Sequence, residues 1–188
     1  MNRYLILVKH SLPQVRKDLP AREWKLSEDG RARAERLAEI LKTHEIDFIA
    51  ASAEPKALET ARIVADQCDV NLEVVEGLHE HERGTTHYLH KSEFEAAIKK
   101  FFEKPDSLVF GNETANQASE RFSNAIYSIL SMHKNSKIAI VAHGTVISLF
   151  VAQLTGQPGF QLWTELGLPS LVILDLQSNV LIGIENIL

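Results

Sequence analysis

The stretch Tyr4-Leu5-Ile6-Leu7-Val8-Lys9-His10-Ser11 decides how the rest of the chain is read. Its first five residues are apolar and rich in branched side chains, the pattern of a strand buried on both faces inside a parallel α/β sheet. Polarity then reverses at once, to a lysine, a histidine and a serine, and Pro13 blocks a simple continuation. In open α/β sheets, ligands bind in the crevice at the carboxyl ends of the strands. A cation and an imidazole at such an end can hold an anion and attack it. Lys9 and His10 could equally cap an ordinary first strand, so the reading depends on how the other strands end.

Two further strands end in a similar way. Asp47 to Ala51 reads as a short strand running into Ser52, with Lys56 one helical turn beyond. Lys137 to Val141 is a second strongly buried strand, and Ala142-His143-Gly144-Thr145 follows it directly into a helix expected to reach Gly156. Between these strands lie helices. Ser27 is a good N-cap, with Glu28 and Asp29 in the first turn and Ala34, Leu37, Ala38 and Leu41 on one face. Pro55 suits the first position of a helix whose stripe is Ala57, Ala61, Val64 and Cys68. Leu72 to Val75 reads as a third strand. Ser92 and Glu95 form a capping box before the stripe Phe94, Ala97, Ile98, Phe101 and Phe102, and a long helix is expected from about 113 to 132. Residues 171–176 and 180–187 close the chain as a hairpin. Residues 12–26 read as a loop from which Arg16 or Arg22 could reach the site, and 77–90 as an irregular, histidine-rich segment. Strands alternating with helices imply βαβ units and a mostly parallel sheet.

The chain has 188 residues, so a single domain over 1–188 is expected, with 77–111 as a cap or substrate-loop insertion. Hydrophobic residues at 45% and charged residues at 24% argue for a packed globular protein rather than a disordered one. A net charge of -5 gives no reason to expect a nucleic-acid or anionic-membrane partner, so an anionic ligand would need a local basic pocket. One cysteine, Cys68, excludes an internal disulfide framework. The apolar runs at the N-terminus and near Val146 to Leu154 are too short for a signal core or a membrane span, and a cytoplasmic location is expected.

Two histidines, His10 and His143, and two lysines, Lys9 and Lys56, thus converge on one edge of the sheet, beside a helix start at Gly144 that offers free N–H groups to an anion. That set points to phosphoryl transfer through a covalent intermediate. The reaction asks a protein mainly for positioning and charge stabilisation, and a neutral imidazole is a competent nucleophile at pH 7. Lys9, Lys56, His143 and the Gly144 backbone would neutralise phosphate oxygens. A carboxylic acid must protonate the leaving alkoxide, and Glu80-His81-Glu82 is the place to seek it. His79, His81, His87 and His90 do not match a metal-ligand spacing, so neither a metal nor a cofactor is expected.

Lys9-His10-Ser11, Leu26-Ser27-Glu28-Asp29-Gly30, Ser52 to Lys56-Ala57-Leu58-Glu59-Thr60-Ala61, Leu78-His79-Glu80 and Val141-Ala142-His143-Gly144 occur in an order that resembles the histidine phosphatase (phosphoglycerate mutase-like) superfamily. The resemblance covers essentially the whole chain. It implies a three-layer α/β/α sandwich, His10 as phosphate acceptor, His143 as a second phosphate-binding histidine and Glu80 as proton donor, with Glu82 the competing candidate. The implied activity is hydrolysis of a small-molecule or protein-borne phosphate monoester. A mutase-type phosphoryl transferase and a phosphate- or partner-binding member without turnover are the alternatives. Lys9 and Lys56 stand where the pattern has arginine, and Ser11 where it has a small residue. Lysine keeps the charge but loses the planar fork, so weaker or differently oriented phosphate binding is expected.

Overall fold

The computed structural model describes residues 4–84, 89–134 and 136–188; His87 lies outside them. The chain runs β1 (Tyr4–Lys9), α1 (Glu28–Thr43), β2 (Phe48–Ala51), α2 (Pro55–Cys68), β3 (Asn71–Val74), α3 (Lys91–Glu103), α4 (Ala115–Met132), β4 (Ile138–Ala142), α5 (Gly144–Thr155), α6 (Gly159–Glu165), β5 (Ser170–Asp175) and β6 (Val180–Asn186). The strand order is β3-β2-β4-β1-β5-β6. The first four of these run parallel, and β5 and β6 are antiparallel additions.

Covering both faces of the sheet is what makes its central strands apolar throughout. Ile6, Val8, Ile49, Ala51, Ala139 and Val141 pack with Leu37 and Leu41 of α1 and Ala61 and Val64 of α2. Alternate residues Leu5, Leu7, Ala50 and Ile140 pack on the other side with Phe122 and Ile126 of α4 and Val146 and Phe150 of α5. The result is a three-layer α/β/α sandwich. Register then fixes the site. Lys9 lies opposite Ala142, and Ala51 opposite Val141, so the residues after β1, β2 and β4 emerge together at one edge.

Local chemistry sets the helix starts. Ser27 Oγ accepts the Gly30 N–H at 2.9 Å, and a Cβ on Gly30 would fall 2.0 Å from the Leu12 carbonyl oxygen, so only glycine lets α1 approach the chain leaving β1. Thr114 and Gln117 exchange hydrogen bonds of 2.8 and 3.2 Å to cap α4. The expected Ser92–Glu95 box is not used. α3 begins at Lys91, which puts Glu93 at the third position, and Glu93 accepts the His90 N–H at 3.1 Å. The short α6 has no repeating apolar stripe, so no periodicity in the sequence announces it. Residues 12–26 are tied down by a bridge between Pro13 and Leu26 and by a 3-10 turn at Ala21–Glu23.

Candidate active site

His10 is fixed by its own strand end. Its N–H bonds to the Ala142 carbonyl at 3.0 Å, and its ring Nδ1 lies 2.8 Å from the Ser11 carbonyl, which only accepts. Nδ1 therefore carries the proton, and Nε2 keeps its lone pair. The His143 ring sits 5.2 Å away, centroid to centroid, at 63°. Both rings are buried. His143 Nε2 is 2.9 Å from Ser52 Oγ, and its Nδ1 is buried with no hydrogen-bond partner among the described residues. Burial, followed for His10 by His143 and then Lys56, and for His143 by Lys56, holds both imidazoles well below the ordinary histidine pKa. Both are neutral at pH 7.

Ser11 does not face the imidazole. Its hydroxyl donates to the Gly30 carbonyl at 2.6 Å and its N–H to Thr60 Oγ1 at 3.0 Å, lashing the end of β1 to α1 and α2. The two lysines are also held. Lys9 Nζ donates to the Leu166 carbonyl at 2.8 Å, in the loop after α6. Its stem passes so close to Gly144 that a Cβ there would lie 3.1 Å from Lys9 Cε. Lys56 Nζ donates to the Ala21 carbonyl at 2.8 Å and to the Glu54 carboxylate. Burial lowers both ammonium groups, Lys9 to about 8, against the opposing pull of Glu80 on Lys9 and Glu54 on Lys56.

Glu80 is brought to the same edge by the loop after β3. Its carboxylate accepts the Thr145 and Val146 N–H groups at 3.2 and 3.3 Å, the first turn of α5. Burial pushes this carboxyl up, but Arg83, His143 and the N–H groups of His81 and Thr145 outweigh it, and the net direction is down. The free site thus favours a carboxylate at Glu80, whereas protonating a leaving alkoxide calls for the acid. An extended segment would point Glu80 and Glu82 the same way. Instead, His81 is buried against Phe101 and Phe110, and Glu82 is half exposed beside His79. The two carboxylates part.

Several residues of the site carried no signal in the sequence. Glu54 links its parts: Oε1 accepts the Glu80 N–H at 2.9 Å and lies 3.7 Å from His143 Nε2, while Oε2 takes Lys56. Arg121 on α4 donates to the carbonyls of Gly77 and His79 at 2.7 and 2.9 Å and to Glu113 at 2.6 Å, and Glu113 accepts the Glu82 N–H. This pair holds the loop that carries Glu80. Arg83 Nη2 reaches within 3.4 Å of Glu80. By contrast, Arg16 pairs with Asp18 and Arg22 lies near Glu23, both with exposed side chains. No group of three or more His, Cys, Asp or Glu side chains among the described residues is arranged to hold a metal.

Fold and site define an α/β protein with two histidines, two lysines and a glutamate gathered at the carboxyl edge of a parallel sheet. The family model of the histidine phosphatase superfamily (branch 1) matches residues 5–181, and the chain belongs to that superfamily. Among solved structures, Bacillus stearothermophilus YhfR is similar at 25% identity and a TM-score of 0.74, covering 95% of this chain and 93% of that one. Phosphoserine phosphatase from Entamoeba histolytica, in complex with 3-phosphoglyceric acid, is 20% identical with a TM-score of 0.78, covering 97% and 96%. A mycobacterial glucosyl-3-phosphoglycerate phosphatase, complexed with VO3, is 20% identical with a TM-score of 0.75, covering 92% and 91%. No curated protein matches the chain in a sequence comparison.

Proposed function

We propose that the chain is a phosphatase that hydrolyses a phosphate monoester through a phosphohistidine on His10. The observation that carries this is the 2.8 Å contact from Nδ1 to the Ser11 carbonyl, which commits one nitrogen and leaves Nε2 as a nucleophile. In the first step Nε2 bonds to phosphorus and the ester P–O bond breaks, its electrons passing to the leaving oxygen. Glu80 gives that oxygen a proton. In the second step Glu80 takes a proton from water, the water oxygen bonds to phosphorus, and the N–P bond breaks to release inorganic phosphate.

Glu80 must be protonated for the first step. An incoming dianion raises a neighbouring carboxyl by like-charge repulsion, and its oxygens compete for the Thr145 and Val146 N–H groups that now hold the carboxylate. His143, taking the Ser52 hydroxyl proton at Nε2, would offer its Nδ1–H to a phosphoryl oxygen. Lys9, Lys56 and the Gly144 region supply the remaining positive field.

The substrate is a small-molecule or protein-borne monoester, in keeping with the superfamily and with neighbours that are phosphatases. The cap or substrate loop of the site is assigned to residues 77–111, whose described part includes α3. A binding member without turnover is the second reading, favoured by one observation: Lys9 and Lys56 both spend donors on backbone carbonyls. Incubation with 4-nitrophenyl phosphate, comparing the wild type with His10→Ala, separates the two. Release of phosphate by the wild type alone supports the enzyme, and equal release by both overturns it.

A further inference from the structure

Glu54 is the N-cap residue of α2, a position that favours Ser, Thr, Asp or Asn, yet its side chain accepts no N–H from that helix. The carboxylate turns to the site instead, with 12% of the side chain exposed. Burying a charged carboxylate is costly unless cations and hydrogen bonds compensate it. Two segments supply them here. Oε2 takes the Lys56 ammonium from the first turn of α2, and Oε1 accepts the Glu80 N–H of the loop after β3 at 2.9 Å. Oε1 also lies 3.7 Å from His143 Nε2, at the end of β4. The Glu54 N–H donates to Ser52 Oγ at 3.2 Å, and that hydroxyl is the partner of His143.

Lys56 depends on this partner. Its side chain is 6% exposed, and a buried lysine gives up its proton far more readily than an arginine, which keeps its charge. The groups facing its ammonium are the Ala21 carbonyl of the 3-10 turn, Glu54, Glu80 and Arg83 of the loop after β3, and the neutral rings of His10 and His143. Among the described residues, Glu54 is the anion within ion-pair distance. Two of the three N–H donors go to Ala21 and Glu54, which leaves the third for a phosphoryl oxygen. An arginine in this place would need no such partner to stay charged. We infer that Glu54 is a positioning residue of the proposed phosphatase: it holds Lys56 as an aimed cation and ties that cation to the backbone of Glu80, the proposed acid. The catalytic consequence rests on the phosphatase reading, and the charge on Lys56 does not.

The test reads that charge directly. In protein labelled with carbon-13 at lysine Cε, the Lys56 resonance, assigned by its absence from Lys56→Gln, is titrated in the wild type and in Glu54→Gln. The glutamine keeps an oxygen for the Glu80 N–H and removes the charge. The Lys56 midpoint should fall by about 1–3 pH units. That of Lys9, whose ammonium bonds to the Leu166 carbonyl instead, should move little. An unchanged Lys56 midpoint overturns the inference, because a side chain that only braces the loop would leave it in place. On 4-nitrophenyl phosphate, the ratio of variant to wild-type kcat/KM should be about one at low pH and fall at least about tenfold between the two midpoints. Adding Lys56→Arg should abolish that fall. A ratio that stays flat across pH, with the wild type turning over, also overturns the inference. Should the wild type release no more phosphate than His10→Ala, the phosphatase reading fails, and the titration alone decides whether Glu54 keeps Lys56 charged. Glu54→Ser, a better N-cap for α2, takes the place of Glu54→Gln should circular dichroism show the glutamine variant unfolded.

Discussion

Thr145 donates its backbone N–H to the Glu80 carboxylate at 3.2 Å, so the general-acid candidate already occupies the helix start that would seat a phosphate. In the proposed mechanism this carboxylate holds the place of the phosphate and then protonates the leaving group. Glu80→Gln keeps the shape and removes the proton. Its kcat on phenyl phosphate, whose leaving group needs that proton, should fall ~10²–10³-fold, and considerably less on 4-nitrophenyl phosphate. Glu82→Gln should stay close to wild type on both, because Glu82 is half exposed beside His79. Equal losses on the two esters would remove Glu80 from the acid role.

Both imidazoles bear on stability as well. His10 and His143 are held well below the ordinary pKa by burial in the folded state. Below about pH 6.5 the unfolded chain takes up protons that the folded chain refuses, so stability falls as pH falls. The slope approaches about 1.4 kcal/mol per pH unit for each histidine. Denaturant melts of wild type and His143→Ala between roughly pH 5 and 7 should show a shallower slope in the variant. Parallel curves would contradict the buried neutral ring.

The Lys9 ammonium, lowered to about 8 chiefly by burial, should set the alkaline limb of the proposed phosphatase activity. Above that pH the free enzyme loses a cation from the hollow, and kcat/KM, which reports free-enzyme ionisations, should decline. Lys9→Arg should shift that limb out of the accessible range, since a guanidinium does not deprotonate there. The sign for folding is opposite. Between about 8 and 10.4 the unfolded chain holds the proton that folded Lys9 has released, so this residue makes the protein more stable as pH rises through that window.

Arg121 and Glu113 support the loop that carries Glu80. Arg121→Met leaves the Gly77 and His79 carbonyls and a largely buried Glu113 without their partner. The expected loss is about 2–4 kcal/mol, or a Tm lower by roughly 5–15 °C in a scanning experiment. A Tm unchanged within error would show that the loop is held by other means.

How legible this protein is from its sequence depends on the range of each signal. The strands β1 and β4, the Ser27 cap and Pro55 of α2 are local patterns of burial, capping and fixed φ, and they emerge as read. The meeting of Lys9, His10, Ser52 and His143 is legible because parallel strands put their carboxyl ends on one edge. Glu54, Arg83 and the Arg121–Glu113 pair were not legible, since their partners lie on other segments and no spacing announces them. Ser11 shows the same limit in reverse. Its neighbour in sequence is His10, the proposed nucleophile, yet its hydroxyl turns to Gly30. That Glu80 and Glu82 part is not legible either, because it follows from the burial of His81 against Phe101 and Phe110, residues of other segments.

The most direct test is the covalent intermediate itself. Wild-type protein mixed with an aryl phosphate, quenched in base during turnover and examined by phosphorus NMR should carry a phosphoramidate on Nε2 of His10, absent from His10→Ala. No trapped species, or a phosphoryl group on Nδ1 or on His143, would contradict the account.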